Sequence, residues 1–291
     1  MASLPLLSSF PSFFSLYALL SPPQNATGEF GTNNSIEFFS FDPISSSWRL
    51  LPIPPEDPPL HFLHRHSSFL SQKLPIQSLV SNHLGIIAAT THKLSPALSS
   101  PLVFHPESNS WFYGPQISTP RRWCATGSVR ASEAWSTWRA ASAHFTKEIG
   151  NVGYKGKLCM VNVKGNADKE GAGYDVGLHK WEVMLPGMVA GWNGPAAAMD
   201  EDVIYVIDEV KGSLSRYDGE GDCWVEVIEL EQLKRAEQIA AEGGKICAVS
   251  ANGNRIIVVD VREMPARFWE VSPPCGMEVV AVHVLPRMIS R

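Results

Sequence analysis

The chain has 291 residues, 18% of them charged, with a net charge of -5, 22 glycines, 22 prolines and nine tryptophans. That length suits one closed all-β array without demanding two domains, and the composition suits many short strands joined by tight turns around bulky side chains. The acidic balance, with basic residues gathered in 121–157, excludes a general nucleic-acid binder, and no run approaches the roughly 20 apolar residues of a membrane helix.

Residues 1–24 read as an extended lead-in segment that Pro22 and Pro23 terminate. Its apolar run Leu4 to Leu20 imitates a signal peptide, but it lacks a basic start and is interrupted by Pro5 and Pro11. Ile36 to Phe41 then reads as a strand, Asp42-Pro43 as a turn, and Trp48 to Leu51 as the partner strand. The Trp is expected to pack across the sheet on the aromatic residue seven positions earlier.

Residues 52–75 form a Pro-rich loop carrying His61, His64 and His66, which lie in one stretch without Cys or carboxylate partners at ligand spacing. Leu84 to Thr90 and Leu102 to Phe104 supply two more strands, closed by Trp111. Residues 126–150 have few β-branched residues and read as irregular. From Lys157 to Val163 a strand returns, followed by the turn unit Gly173 to Trp181.

The frame of these units recurs: Phe41 leads to Trp48, Phe104 to Trp111, Tyr174 to Trp181 and Tyr217 to Trp224, each over seven residues. Trp181 and Trp224 are 43 residues apart and Trp224 and Trp269 are 45 apart, the blade length of a β-propeller. Ala196 to Met199, Val203 to Ile207, Leu214 to Tyr217 and Trp224 to Val227 form the best-defined blade. Glu229 to Ala241 combines helical spacing with the repeat period, which a short helical turn between blades would satisfy. Ile246 to Val249 and Ile256 to Val259 belong to the last blade, and Glu278 to Leu285 is a strand suited to closing the ring against the N-terminal strands. The fold class is therefore all-β, a propeller of about five to six blades with one of them incomplete, over residues 25–291.

Several stretches resemble kelch repeats, and more narrowly the plant F-box/kelch-repeat proteins that interact with the Skp-type adaptor. They are Pro11 to Pro23, Phe38 to Leu51, Thr119 to Ala125, Lys155 to Lys164, Gly187 to Asp200 and Ala236 to Ala241. The resemblance implies a substrate receptor of an SCF-type ubiquitin ligase, with an F-box gripping the adaptor and a propeller holding a target protein. No F-box-like run of helices precedes residue 25, so adaptor and cullin are expected as partners only where an F-box is present. The double Gly of the kelch motif is replaced by Ile207-Asp208 in the best blade.

Chemistry has little to stand on in this sequence. Cys124, Cys159, Cys223, Cys247 and Cys275 are scattered and lack a C-x-x-C pair, so they indicate neither a disulfide framework nor a zinc site and favour the cytoplasm or nucleus. Glu170, Asp175 and His179 approach the iron motif of plant specifier proteins, but the first interval is one residue too long. No cofactor and no catalytic residue are expected. A metal-dependent kelch enzyme and a truncated, non-functional copy stand as the alternatives. Arg121, Arg122, Trp123, Trp192 and Gln238 precede the first strands of blades and are the candidate partner-binding residues; for Trp123 and Trp192, packing between blades is the competing role. Trp48, Trp111, Tyr174, Trp181, Tyr217 and Trp224 are expected to be structural.

Overall fold

Alternating apolar residues, closed every few positions by an Asp or Gly turn, fold this chain into antiparallel meanders. The computed structural model describes residues 14–22, 36–55, 76–81, 84–90, 99–116, 149–162 and 169–288. Blade 1 contains β1 (Phe14–Ser21), β2 (Glu37–Asp42) and β3 (Ser47–Leu50), and blade 2 contains β4 (Ile76–Ser81), β5 (Leu84–Thr90), β6 (Leu102–His105) and β7 (Ser110–Tyr113). Blade 3 is β8 (Ile149–Tyr154), β9 (Lys157–Asn162), β10 (Gly171–Asp175) and β11 (Lys180–Val183). After the short helix α1 (Pro186–Ala190), blade 4 is β12 (Ala196–Met199), β13 (Val203–Asp208), β14 (Ser213–Asp218) and β15 (Cys223–Glu229). Blade 5 is β16 (Gln238–Glu242), β17 (Lys245–Val249), β18 (Ile256–Asp260) and β19 (Arg267–Val271), and β20 (Glu278–Pro286) returns to blade 1.

The described sheets are five, each of four strands, and the first has the order β20-β1-β2-β3. The last strand therefore supplies the innermost position of the first blade, pairing Phe14 with Pro286 and Ser21 with Glu278. This is the ring closure expected from Glu278 to Leu285. Inner strands β8, β12, β16 and β20 pack side by side in that order, and β20 also packs on β4.

Middle strands are buried on both faces, as strands between two neighbouring sheets must be. All five residues of β17 and all five of β18 are buried. The cores lie in the seams between blades. Blades 5 and 1 share Leu16, Leu20, Phe41, Cys247, Val258 and Val282, and blades 1 and 2 share Tyr17, Leu19, Phe38, Leu102 and Phe104. Blades 3 and 4 meet over Val161, Met188, Trp192, Ile204 and Tyr217, and blades 4 and 5 over Ile207, Leu214, Leu233, Ile246 and Val259.

Three expectations shift. The boundary at residue 24 moves toward the N-terminus, because Phe14 to Ser21 of the lead-in segment is a propeller strand whose last seven residues are buried between β20 and β2. The apolar run that imitates a signal peptide is thus, over these residues, sheet core. Strands β4 and β8 were not apparent in the sequence; β8 begins at Ile149, inside the stretch read as irregular, while 126–148 lies outside the described residues. The helical signal after Glu229 resolves into a single 3-10 turn, Glu231–Leu233, that drops Leu233 into the seam between blades 4 and 5.

His283 is buried in the seam between blades 1 and 2, with its Nε2 2.9 Å from Ser78 Oγ. Burial pushes the His283 imidazole down to about 4, so the folded protein keeps it neutral where the unfolded chain would protonate it. The unfolded chain then binds more protons below its ordinary value of about 6.5, and stability is lost as pH falls from there toward 4. Thermal midpoints of the wild type should therefore drop faster across pH 6.5 to 4 than those of His283→Gln; parallel curves would refute this role.

Candidate functional site

The hairpins that end each blade are built alike. Phe41 and Trp48, Phe104 and Trp111, Tyr174 and Trp181, and Tyr217 and Trp224 are direct cross-strand partners. Their ring centroids lie 5.1, 5.1, 5.0 and 5.3 Å apart, within the range of favourable aromatic pairs. The turn before each Trp is held by the side chain at its start. Asp42 Oδ1 accepts the Ile44 N–H, Asp175 Oδ1 that of Leu178, Asp218 Oδ1 that of Glu220, and in the second blade His105 Nδ1 accepts that of Ser108. Two residues before each Trp the backbone is left-handed: Ser46, Asn109, His179 and Asp222 have φ between 46° and 51°. Small or polar residues fill this position because they tolerate that conformation best.

The indole N–H groups of Trp48, Trp111 and Trp224 then reach the connection that leaves the preceding blade. Trp48 Nε1 donates to Ser272 O, Trp111 Nε1 to Pro52 O, and Trp224 Nε1 to Gly187 O and Met188 O. The Trp is therefore a clip on the connection that leaves the neighbouring blade. These Trp residues are half-buried, and Trp181 is the most exposed of the four at 38%. Their weight lies in the seam more than in a sealed core.

In blade 5 the register places Val259 opposite Phe268 and Val258 opposite Trp269. Phe268, not Trp269, thus occupies the clip position, and the apparent 45-residue step to Trp269 is one residue too long. A shift of one residue turns a side chain to the other face of the sheet, and Trp269 accordingly joins the core shared with blade 1, its ring centroid 5.6 Å from the buried Lys245 Nζ.

The clip between blades 3 and 4 is the most fully bonded. Asp222 Oδ2 accepts the Gly187 N–H at 2.9 Å, and its Oδ1 accepts the Met188 N–H at 3.0 Å and the Tyr217 hydroxyl at 2.6 Å. These donors, the Tyr217 hydroxyl first, hold the Asp222 carboxyl below the usual carboxylate range, while burial pushes the Tyr217 phenol up. The connection approaches so closely that a Cβ on Gly187 would lie 1.8 Å from Asp222 O, and one on Gly191 2.0 Å from Trp224 Cδ1. The glycine spacing in Gly187-Met188-Val189-Ala190-Gly191-Trp192 is the sequence signal of this contact, and reading the stretch only as a family match passed over it.

The candidate partner-binding residues separate. Trp192 is fully buried, edge-on to Trp224 at 6.2 Å, so it fills the seam between blades 3 and 4 and presents no surface. The Gln238 side chain is spent on backbone: Nε2 donates to Ile239 O and Val282 O, and Oε1 accepts the Val282 N–H. It ties β16 to β20, an apparent binding residue acting as a seam fastener. Arg121, Arg122 and Trp123 lie outside the described residues, as do His61, His64 and His66.

Strand direction sorts the connections onto two faces. One carries the short turns 43–46, 106–109, 155–156, 176–179, 200–202, 219–222, 243–244 and 261–266, and Phe14 and Pro286 lie beside each other there, near the contact of Arg287 Nη2 with Asp42 Oδ2 at 3.1 Å. The other, the loop face, carries 209–212, 230–237, 250–255 and 272–277, and the strands flanking 22–36, 51–75, 91–101, 114–148, 163–170 and 184–195 open toward it, although the start of 184–195 bends back along the seam to meet Asp222. Residues 121–123 fall within one of these connections.

Among the described residues, the Asp175 carboxylate and the His179 imidazole of the near-iron motif are taken up by the turn. Asp175 is used by its turn, and the His179 Nδ1 lies 3.2 Å from the Tyr174 hydroxyl. Among the described residues no three His, Cys, Asp or Glu side chains group to hold a metal, and burial pushes the Cys159 and Cys247 thiols up to about 11 and about 12, which leaves them protonated.

Two substitutions test the clip. Gly191→Ala should cost about 3 kcal/mol, at the upper end of overpacking penalties, whereas Trp224→Phe, which loses only the N–H and part of the ring, should cost about 1–2 kcal/mol. Denaturant midpoints that place the two in the reverse order would contradict this geometry.

No family model matches the chain. It is, however, 45% identical, over an alignment of 320 positions covering 96% of this chain and 80% of the relative, to the F-box/kelch-repeat protein SKIP25 of Arabidopsis thaliana. With an identity of this level along almost the whole propeller, the chain belongs to the F-box/kelch-repeat protein family.

Proposed function

We propose that this protein is the target-binding subunit of an SCF-type ubiquitin ligase, acting in the cytoplasm or nucleus. In this reading the loop face holds a protein target for ubiquitination, and a Skp-type adaptor and cullin join through an F-box. The similarity to an F-box/kelch-repeat protein over 96% of the chain carries the proposal. Geometry supports it. The strands flanking the long connections open toward one side of the ring, loops on a rigid scaffold are where binding residues belong, and Phe14 and Pro286, at the two ends of the ring, lie together at the other side.

The protein itself needs no catalytic group for this role. A receptor raises the local concentration of its target near a separate transferring enzyme, so binding and orientation are its whole contribution. The aromatic, carboxylate and glycine residues singled out above act by fixing the connections that emerge beside them.

Affinity purification of the full-length protein from plant cells tests the reading. A Skp-type adaptor and a cullin should co-purify, and the adaptor should bind the purified protein directly. Recovery of the folded protein without either component would remove the ligase role.

A further inference from the structure

We infer that this chain has one propeller repeat fewer than its Arabidopsis relative, lost between blades 2 and 3. The alignment extends over 320 positions, yet 96% of this 291-residue chain fills only about 280 of them. About 40 positions of the relative are left without a counterpart, close to the ~43-residue period of one blade. The longest insertion between other blades of this chain, in the link 51–75, extends the step from Trp48 to Trp111 to 63, about 20 beyond the period, whereas a difference of about 40 is what removal of one repeat produces.

The structure indicates where the repeat was. Trp181 to Trp224 spans 43 residues and Trp224 to its register equivalent Phe268 spans 44, so blades 3, 4 and 5 keep the period without interruption. Blades 5 and 1 are locked by β20, and blade 1 passes to blade 2 with a clip intact, Trp111 to Pro52. The step from Trp111 to Trp181 is 70, which fits neither one period nor two. The link 114–148 is also longer than any other between blades, yet shorter than a blade.

Each blade contributes two connections to the loop face, one between its second and third strands and one leading to the next blade. Loss of a repeat therefore removes two connections from a single arc and leaves the rest of the face in place. If that face binds the target, as proposed above, this protein and its relative differ in target contact on the arc between blades 2 and 3.

The structure of the Arabidopsis relative decides the matter: six four-stranded sheets are expected, the additional one between the counterparts of blades 2 and 3. Five sheets with the additional residues dispersed among loops would overturn the inference, whatever becomes of the ligase reading. A chimera in which the relative's corresponding segment replaces residues 117–148 gives a second readout. It should fold with six sheets and slow the hydrogen exchange of the Trp181 indole N–H. An unchanged five-sheet ring carrying a protease-sensitive insert would count equally against it.

Discussion

The indole N–H to backbone carbonyl contact between neighbouring blades is the interaction on which this fold depends. A four-stranded sheet alone buries too little and leaves both faces exposed; it becomes stable by stacking on its neighbours. Apolar seams supply most of the driving force, but they are non-directional and would allow one blade to slide on the next. The Trp removes that freedom. Its ring is fixed by the aromatic residue opposite, its hairpin by the Asp turn, and its N–H by one carbonyl of the preceding blade. A hydrogen bond of about 1 kcal/mol net is modest, yet it recurs at Trp48, Trp111 and Trp224 and sets the position of the connection each one reaches. The same contact that stabilises the seam also places the start of the loop face.

The blade between Ala196 and Val227 was legible because it keeps the repeat period and every turn in it is marked by Asp or Gly. The closing strand was legible for the opposite reason: Glu278 to Leu285 is a strand left over once the blades are assigned. What escaped notice was strand without punctuation. Phe14 to Ser21 lies between β20 and β2 with seven consecutive residues buried, so it lacks the in-and-out alternation that identifies a half-buried strand, and no Asp or Gly turn marks its start. Ile149 to Tyr154 contains two glycines and one β-branched residue at its start and one in its middle, too few for propensity to reveal it.

Site residues were less legible than fold, and for Trp192 and Gln238 the reason is the same. Trp192 and Gln238 precede inner strands, and in sequence that position is indistinguishable from an exposed loop. Burial separates the two cases, and burial depends on the neighbouring blade. Trp192 disappears under Trp224, which is 32 residues away, and Gln238 bonds to Val282, 44 residues away. Trp269 shows the same limit on a smaller scale. Its spacing from Trp224 is nearly right, but the longer turn between Asp260 and Arg267 shifts the register, and the residue that takes the clip position is a Phe with no N–H to donate.

That substitution shows which part of the device is interchangeable. Where blade 5 meets blade 4, the connection is secured from within: its 3-10 turn buries Leu233 and Ala236 in the seam, and Arg235 N–H donates to Glu209 O. The indole donor can be dispensed with there because the connection brings its own apolar anchor. The link between blades 3 and 4 is held both ways: Met184, Met188 and Trp192 are buried in the seam, and Asp222 and Trp224 grip its backbone from outside, with Leu185 and Ala190 exposed. A connection can thus be fixed by what it buries or by what grips it. Either way the backbone is fixed and some side chains stay outside, Leu185 and Ala190 on the one connection and Glu231 on the other, so anchoring a connection does not use up its outer surface.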